Sequence, residues 1–435
     1  MLKTKSSKTI GIGILGLGTV GSGVVTLLRR QAAAIEKKTG IRLVLKKVCV
    51  KSMTKKRSVK VSRRLLTTHI QDLLKDRSID IFVELVGGIQ PAKKIIAQAF
   101  QNGKHVVTAN KALLAEQGSF VFGLARKHSK KLGIEASVCG GIPIIKAIKE
   151  GLASNTISHF LGIVNGTCNF ILTRMSDQAI GFEEALRQAQ QKGYAEKNPA
   201  LDIRGIDSAH KLAILARMAF GAEVRFGSIP VEGIESLASA DIEYAKELGY
   251  SIKLLAIGKR HEKGLELRVH PTMLPLDHPL SNVRGVYNAV FLHADQAGDL
   301  LFYGKGAGKF PTASAVMSDI IDIAKRISGE IDLKAPVASV PGKLKIYPIE
   351  NLRSKYYLRF QVADRPGVLG RIAQALGKNH ISILSVHQKE SHGSGSVPVI
   401  ILTYEAQEKD MRRALKAIDS GNFVSRKTVV IRVEK

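Results

Sequence analysis

The sequence contains no tryptophan, and only 5% of its residues are aromatic. Stacking platforms for unpaired bases are therefore sparse. Cysteine is scarce too. Cys49, Cys139 and Cys168 are widely spaced and give neither a disulfide framework nor a zinc-ligand spacing, which fits a reducing cytoplasm. No apolar run reaches the ~18 residues of a membrane span, so no membrane association is expected. The basic start MLKTKSSKT runs into a glycine-rich apolar stretch with no small-residue cleavage site, unlike a secretory signal. Acidic residues are few, 37 against 66 Lys and Arg, for a net charge of +29. Such an excess can mark a nucleic-acid binder or a protein with anionic ligands. Here the cations are spread along the whole sequence, with short clusters only at 46–64 and 126–131. A generally basic surface accounts for them better than a nucleic-acid interface, which would show tight, salt-sensitive binding to random duplex.

What remains is ordinary globular material, 45% hydrophobic and 24% charged. At 435 residues, one core is too few, and about three domains are expected at ~150 residues each. Near the start, a short apolar run over 10–15 leads into Gly16-Leu-Gly18-Thr19-Val20-Gly21 and then a helical pattern. This is strand, glycine turn, helix. The first glycine permits the turn, the second lets a pyrophosphate approach the backbone, and the third lets helix and strand pack closely. The next strand, 43–50, should end in the residue that reads the adenosine ribose. It ends in Val50-Lys51-Ser52, with Lys55, Lys56 and Arg57 beyond and no carboxylate. That favours a 2′-phosphate, hence NADP with NAD possible; the alternative is a solvated basic loop.

Further strands are expected over 79–85, 105–109 and 132–138, with a helix over 91–101. Glu84, Gly87 and Gly88 close the first of these, and Asn110-Lys111 follows the second directly. A lysine at the carboxyl end of a parallel strand faces the ligand crevice, making Lys111 a candidate for substrate contact. From about 150 the pattern changes. Apolar segments 157–164 and 168–175 flank Asn165-Gly166-Thr167, a tight polar turn. Then comes GYAEKNPALDIRGIDSAHKLAIL, in which Asn198-Pro199 breaks any helix and Asp207 stands at an N-cap position. Asp207 and Lys211 are four apart and can meet at the helix start, which in isolation is also the pattern of an ordinary capped helix with an ion pair. Later strands are expected over 253–259, 265–270 and 289–293. A second glycine loop, GKGAGKFPT, opens a helix over 313–327. Glycine and proline over 328–351 suggest a linker. Beyond it the order βαββαβ describes a ferredoxin-like module with no cluster of catalytic residue types.

GLGTVGSGVV, VELVGG, TANKALLA, EASVCGGIP, NGTCNFIL, the GYAE stretch, YGKGAGKFPTASAV and DRPGVLGRIAQAL occur in one order across nearly the whole chain. Together these motifs resemble homoserine dehydrogenase with a C-terminal ACT domain, without a preceding aspartate-kinase domain. The resemblance implies an α/β protein. Residues 1–148, completed by about 312–335, would form a Rossmann-type NADP-binding domain, and 149–311 an α+β catalytic and oligomerisation domain. Residues 336–351 would link these to the ACT domain at 352–435. The implied reaction is NAD(P)-dependent interconversion of L-homoserine and L-aspartate 4-semialdehyde, toward threonine and methionine, by a cytoplasmic homodimer or homotetramer.

The resemblance places Gly16, Gly18, Thr19, Val20, Gly21, Lys51, Arg57, Lys111, Gly306 and Gly308 at the cofactor. It places Gly166, Thr167, Tyr194, Glu196, Asp202, Asp207 and Lys111 around the amino acid, with Lys211 and Lys111 facing the reacting oxygen. Glu135 and the carbonyls of Val138, Gly140 and Ile142 match a sodium or potassium site, and oxygen ligands suit such ions. Asp364, Gly367, Val368 and Leu369 mark the regulatory turn, with L-threonine as the implied effector. A lysine hedged by carboxylates keeps its proton and can serve as general acid in semialdehyde reduction; homoserine oxidation needs it neutral, which implies an alkaline optimum. Two rivals are a dehydrogenase for another small amino or keto acid and an amino-acid sensor that has lost catalysis. The GYAE…GID…K stretch argues against the first, and retention of Lys111, Asp207 and Lys211 against the second.

Overall fold

The computed structural model describes residues 8–262, 264–329, 344–388 and 395–434. The chain divides into two units. The first comprises Met1–Ser158, Ala209–Ser228 and Tyr287–Leu344; the second comprises His159–Ser208, Ile229–Val286 and Lys345–Lys435.

The first unit is built on a six-stranded parallel sheet. Its strands run Leu66–Thr67, Ile41–Cys49, Lys8–Leu15, Ile81–Glu84, His105–Thr108 and Leu132–Gly133. That is the order 3-2-1-4-5-6, whose reversal beside the first strand leaves a crevice at the carboxyl ends. The central strands are continuously apolar because helices cover both faces. Ile10, Ile12 and Ile14 form one core with Val24, Val25 and Leu28 of helix Thr19–Arg30 and Ala313, Val316 and Ile320 of helix Lys309–Ile327. The two helices touch so closely that a Cβ on Gly23 would lie 2.6 Å from the Lys309 carbonyl oxygen. The strand expected over 132–138 stops at Gly133. A 3-10 turn, Glu135–Ser137, takes over because the Glu135 N–H donates to the Asp319 carboxylate instead of to a neighbouring strand. The unit also holds the antiparallel hairpin Tyr287–Ala294 and Gly298–Lys305.

The second unit holds seven strands of one continuous sheet, in the order Ile157–Ile163, Tyr250–His261, Gly264–Pro275, Val424–Val433, Arg353–Ala363, Ser396–Thr403, Ile383–Gln388. The last four, with helices Val368–Lys378 and Glu408–Asp419, are the expected βαββαβ module. Tyr356, Leu358, Phe360 and Val362 alternate onto the face covered by those helices, meeting Ile372, Leu376, Met411 and Ala414. The apolar segment 168–175 is helical: helix Gly166–Gln178 starts at the polar turn, with Asn165 as its N-cap. Part of the expected linker, 330–343, lies outside the described residues.

The strand Gly264–Pro275 bears charges, yet it is buried on both faces because those charges meet one another. Arg268, 1% exposed, donates through Nε to Glu266 at 2.8 Å and through Nη2 to Glu434. Lys259 reaches Glu434, and His261 lies 2.8 Å from Glu266. On Val424–Val433, Arg432 spans Glu408 and Glu232 with two bonds to each. Asp241 of helix Ser239–Glu247 accepts from Arg359 at 2.6 and 3.0 Å and from the Tyr357 hydroxyl at 3.1 Å. These ionic pairs fasten the ferredoxin-like module to the strands and helix beside it, with the bidentate guanidinium geometry that gives such contacts direction.

Candidate active site

The glycine turn is built as its spacing demands. Gly16 has φ +100° and donates its N–H to the Cys49 carbonyl at 2.9 Å. A Cβ on Gly21 would sit 2.2 Å from the Gly16 carbonyl oxygen, whereas one on Gly18 would meet nothing within 4 Å. The open side of Gly18 is where a phosphate can approach. Helix Thr19–Arg30 begins there with neither a side-chain cap nor an acidic residue in its first turn, so its N-terminal N–H groups and dipole are presented to an anion.

A cleft of about 590 Å³ opens from this turn. Gly16, Gly18 and Thr19 form one end and Lys51, Lys55, Lys56 and Arg57 the other, and none of its lining residues is acidic. Arg57 is fixed by donating to the Ser52 carbonyl. Lys309, at the start of its helix beside the second glycine loop, reaches Ser58 at 3.2 Å, adding a cation to the same basic end. Val20 lies half-buried on the helix and packs against the core.

At the carboxyl ends of the next strands, a fully buried Glu84 accepts from the N–H groups of Val86 and Gly87, each at 2.9 Å, and from the Thr108 hydroxyl at 2.6 Å. Asn110 caps the next helix through Leu113 and donates to the Gly88 carbonyl at 2.6 Å. Lys111 is therefore the first residue of helix Lys111–Lys127, held at the crevice by a tied turn. Lys211, 9% exposed, lies on helix Ile206–Phe220 in the same unit. Its neighbour His210 stacks on Phe226 and lies 3.3 Å from Glu116.

The second glycine loop owes its glycines to the backbone beside it. A Cβ on Gly140 would fall 2.5 Å from the Gly306 carbonyl oxygen, and one on Gly306 about 2.1 Å from the Asn288 amide; Gly141 donates to Lys305 at 3.0 Å. Gly308, at φ +124°, then turns the chain into helix Lys309–Ile327. Below this contact, both carboxylate oxygens of buried Glu135 accept backbone N–H groups, from Ile145 at 2.9 Å and Lys146 at 2.8 Å. Burial pushes its pKa up despite those bonds. The carbonyl of Ile142 accepts from Ile144 at 2.8 Å. The Glu135 carboxylate and the Ile142 carbonyl each keep further lone pairs, the oxygen chemistry that a hard monovalent cation takes. Among the described residues no group of three or more His, Cys, Asp or Glu side chains converges as a metal site.

In the second unit, one amide organises the polar corner. Asn165 accepts from the Cys168 N–H at 2.8 Å as N-cap, and its Nδ2 donates to Asp202 at 2.7 Å and to Asp207 at 2.8 Å. Gly166 opens the helix, and the Thr167 hydroxyl donates to the Tyr194 carbonyl at 2.7 Å. The Tyr194 ring is 45% exposed and meets Phe170 edge-on, 5.0 Å between centroids. Glu196 is exposed on the same segment. Asp207 is the second residue of its helix rather than the cap before it, since Ile206 already has helical geometry after Gly205 turns at φ +80°. Asn165 itself was only part of a turn in the sequence; an Asn immediately before Gly-Thr and an apolar helical run is the signal that marks it. In the ferredoxin-like module Gly367 caps helix Val368–Lys378 at φ +88°, Asp364 donates its N–H to the Gly395 carbonyl at 3.3 Å, and Leu369 is exposed.

Comparison with known proteins gives a consistent answer. Residues 16–135 match the homoserine dehydrogenase NAD-binding domain, 143–321 homoserine dehydrogenase, and 356–420 the ACT domain. Homoserine dehydrogenase of Neisseria gonorrhoeae is 43% identical over 431 residues, covering 98% of this chain and 99% of its own. That of Pseudomonas aeruginosa is 43% identical over 433 residues, with the same shares. Among solved structures, a homoserine dehydrogenase from Thiobacillus denitrificans superposes with a TM-score of 0.93 at 43% identity, over 98% of this chain and 99% of that one. A hyperthermophilic archaeal homoserine dehydrogenase in complex with NADPH matches with a TM-score of 0.63 at 25% identity, over 74% and 98%. The nucleotide-binding sheet, the catalytic region and the ACT module are thus matched along the full length, and the chain belongs to the homoserine dehydrogenase family, oxidoreductases that act on a CH–OH group.

Proposed function

We propose that this protein interconverts L-homoserine and L-aspartate 4-semialdehyde with NADP as preferred cofactor, on the way to threonine and methionine. The observation that carries the cofactor preference is the cleft whose far end holds Lys51, Lys55, Lys56 and Arg57 and no carboxylate. A 2′-phosphate finds cations there, and a bare ribose finds no acidic acceptor. The NADPH-bound archaeal relative supports the same reading. Gly16, Gly18, Thr19, Val20 and Gly21 cradle the pyrophosphate, with Gly306, Gly308 and Lys111 bordering the cofactor. The nicotinamide, when bound, supplies or accepts the hydride.

The chain's own work is to orient the amino acid and move one proton. Asp202, Asp207 and Glu196 supply negative charge for the substrate ammonium, with Gly166, Thr167 and Tyr194 shaping the pocket around it. Asn165 keeps the two aspartates aligned. Lys211 gives the proton to the carbonyl oxygen during reduction and takes it from the hydroxyl during oxidation, with Lys111 beside the reacting oxygen. Glu135 and the carbonyls of Val138, Gly140 and Ile142 hold a sodium or potassium ion that braces the second glycine loop. Asp364, Gly367, Val368 and Leu369 form the turn at which L-threonine acts as inhibitor. The protein works in the cytoplasm as a homodimer or homotetramer. No helix of the described residues is long and apolar enough to cross a membrane.

Absorbance at 340 nm, with aspartate semialdehyde and either NADPH or NADH, tests this reading. NADPH oxidation should be faster, and millimolar threonine should slow it. No turnover with either cofactor would overturn the activity, and a flat response would remove threonine as effector. Arg57→Ala should raise KM for NADPH roughly 10–100-fold, the worth of a charge-assisted hydrogen bond, and barely alter NADH. Equal losses with the two cofactors would show that Arg57 does not read the 2′-phosphate.

A further inference from the structure

The second unit contains a cavity of about 390 Å³ that none of the residues assigned above lines. It is bounded by the C-terminal half of helix Gly166–Gln178, by helix Ser239–Glu247 and by the start of strand Tyr250–His261. Lys253 stands in its wall at 4% exposure. The ammonium donates to the Val283 carbonyl at 2.7 Å, and among the described residues no carboxylate lies within ion-pair distance of it. Buried cations are ordinarily paired, because a neutral carbonyl does not replace the hydration a charge gives up. Burial alone lowers this amine's pKa to about 8, so it is still mostly protonated at neutral pH.

The surroundings are those of an anion's binding place. Ser251, two positions along the strand, shares the face that Lys253 occupies. Tyr250, Asn282 and Lys246, whose side chains carry a hydroxyl, an amide and a second ammonium, line the same cavity. The one acidic residue in the lining, Asp177, is already bound to Arg284.

We propose that this cavity binds a small oxyanion, a carboxylate or a phosphate, seated on the Lys253 ammonium with Ser251, Asn282 and Lys246 as further donors. The ligand provides the counter-charge that Lys253 lacks. The site lies along helix Gly166–Gln178 from the Asn165 corner. Thr173 to Gly166 is seven residues, about 10 Å at the helical rise, so it is a separate site and not an extension of the substrate's.

The test is calorimetric titration of the full chain with inorganic phosphate or malonate at constant ionic strength, with NADP saturating so that the basic cofactor cleft is filled. One equivalent should bind. Lys253→Met should weaken binding at least tenfold, Lys253→Arg should restore most of it, and Lys246→Ala should cost a few-fold. Phosphate alone binding assigns a phosphate, and malonate alone a carboxylate; either supports the site. Should Lys253→Met fail to fold, acetylation of the wild-type protein, read at Lys253 by mass spectrometry, decides instead, since a bound anion should slow it several-fold. Absence of binding by both anions at 10-millimolar order, unchanged affinity in folded Lys253→Met, or labelling indifferent to anion would each overturn the proposal.

Discussion

Lys211→Ala should lower kcat by ~10²–10⁴ while leaving NADP affinity nearly unchanged. The lysine is buried on the first turns of helix Ile206–Phe220, four residues after Asp207, whose carboxylate is itself held by Asn165. Alanine removes the proposed proton carrier without changing a residue of the glycine turn or of the basic end of the cleft. A general acid is needed only as charge develops on the substrate oxygen, so its loss should fall on kcat and kcat/KM alike. Fluorescence titration with NADPH checks the binding half of this expectation, and steady-state rates check the other. A variant that keeps near-normal turnover would transfer the role to Lys111. Parallel losses in NADPH affinity would instead indicate a damaged fold.

Arg268→Ala should destabilise the second unit by about 3–5 kcal/mol, the cost of stranding buried charges. At 1% exposure this guanidinium neutralises Glu266 and Glu434, both themselves buried. Burial alone would raise the pKa of either carboxyl, but Arg268 and Lys259 overcome it and hold both below the ordinary value. Their contribution to stability is therefore complete above the unfolded carboxyl range near 4.5 and is lost as pH falls through the lower folded values. In the variant this acid limb should move upward in pH, because the carboxyls lose the partner that kept them ionised. Thermal unfolding at pH 7 should show the midpoint of this unit lowered on the order of 10 °C. Adding Glu266→Gln and Glu434→Gln to Arg268→Met should recover much of the loss. If the triple variant is no better than Arg268→Ala, lost packing rather than stranded charge explains the effect.

The nucleotide-binding half was legible because its signals are local. Strand, glycine turn and helix follow within residues 8–31, and the missing carboxylate after Val50 is visible on one line of sequence. The ferredoxin-like order was legible for a similar reason, each element carrying its own periodicity. What stayed hidden depends on partners far away in the chain. Asn165 meets Asp202 and Asp207 at separations of 37 and 42 positions, and Arg268 meets Glu434 at 166. The strand over 265–270 was expected, but nothing near Glu266 and Arg268 in the sequence announces the distant charges that cover them. Segment 168–175 stayed unassigned for another reason: an apolar run of that length is compatible with either period until its cap is identified. Residues 132–138 had strand composition, but Glu135 is claimed by Asp319 and by the N–H groups that follow, a tertiary preference overriding a local one.

The place of strand Val424–Val433 bears on the order in which the molecule can be assembled. It enters between Gly264–Pro275 and Arg353–Ala363, pairing parallel with the first through Arg432–Thr272 and Val433–Met273. From 272 to 432 is 160 positions, so at ~5–20 residues per second the ribosome needs on the order of 10 s to deliver the missing neighbour. Once Arg353–Ala363 has been made, that strand and the 272–273 end of Gly264–Pro275 hold open edges until Val424–Val433 arrives, with N–H and C=O groups that any other extended chain could pair. The sheet of this unit is a lock whose key is cut late, and nascent chains are at their most association-prone just before Val424 emerges.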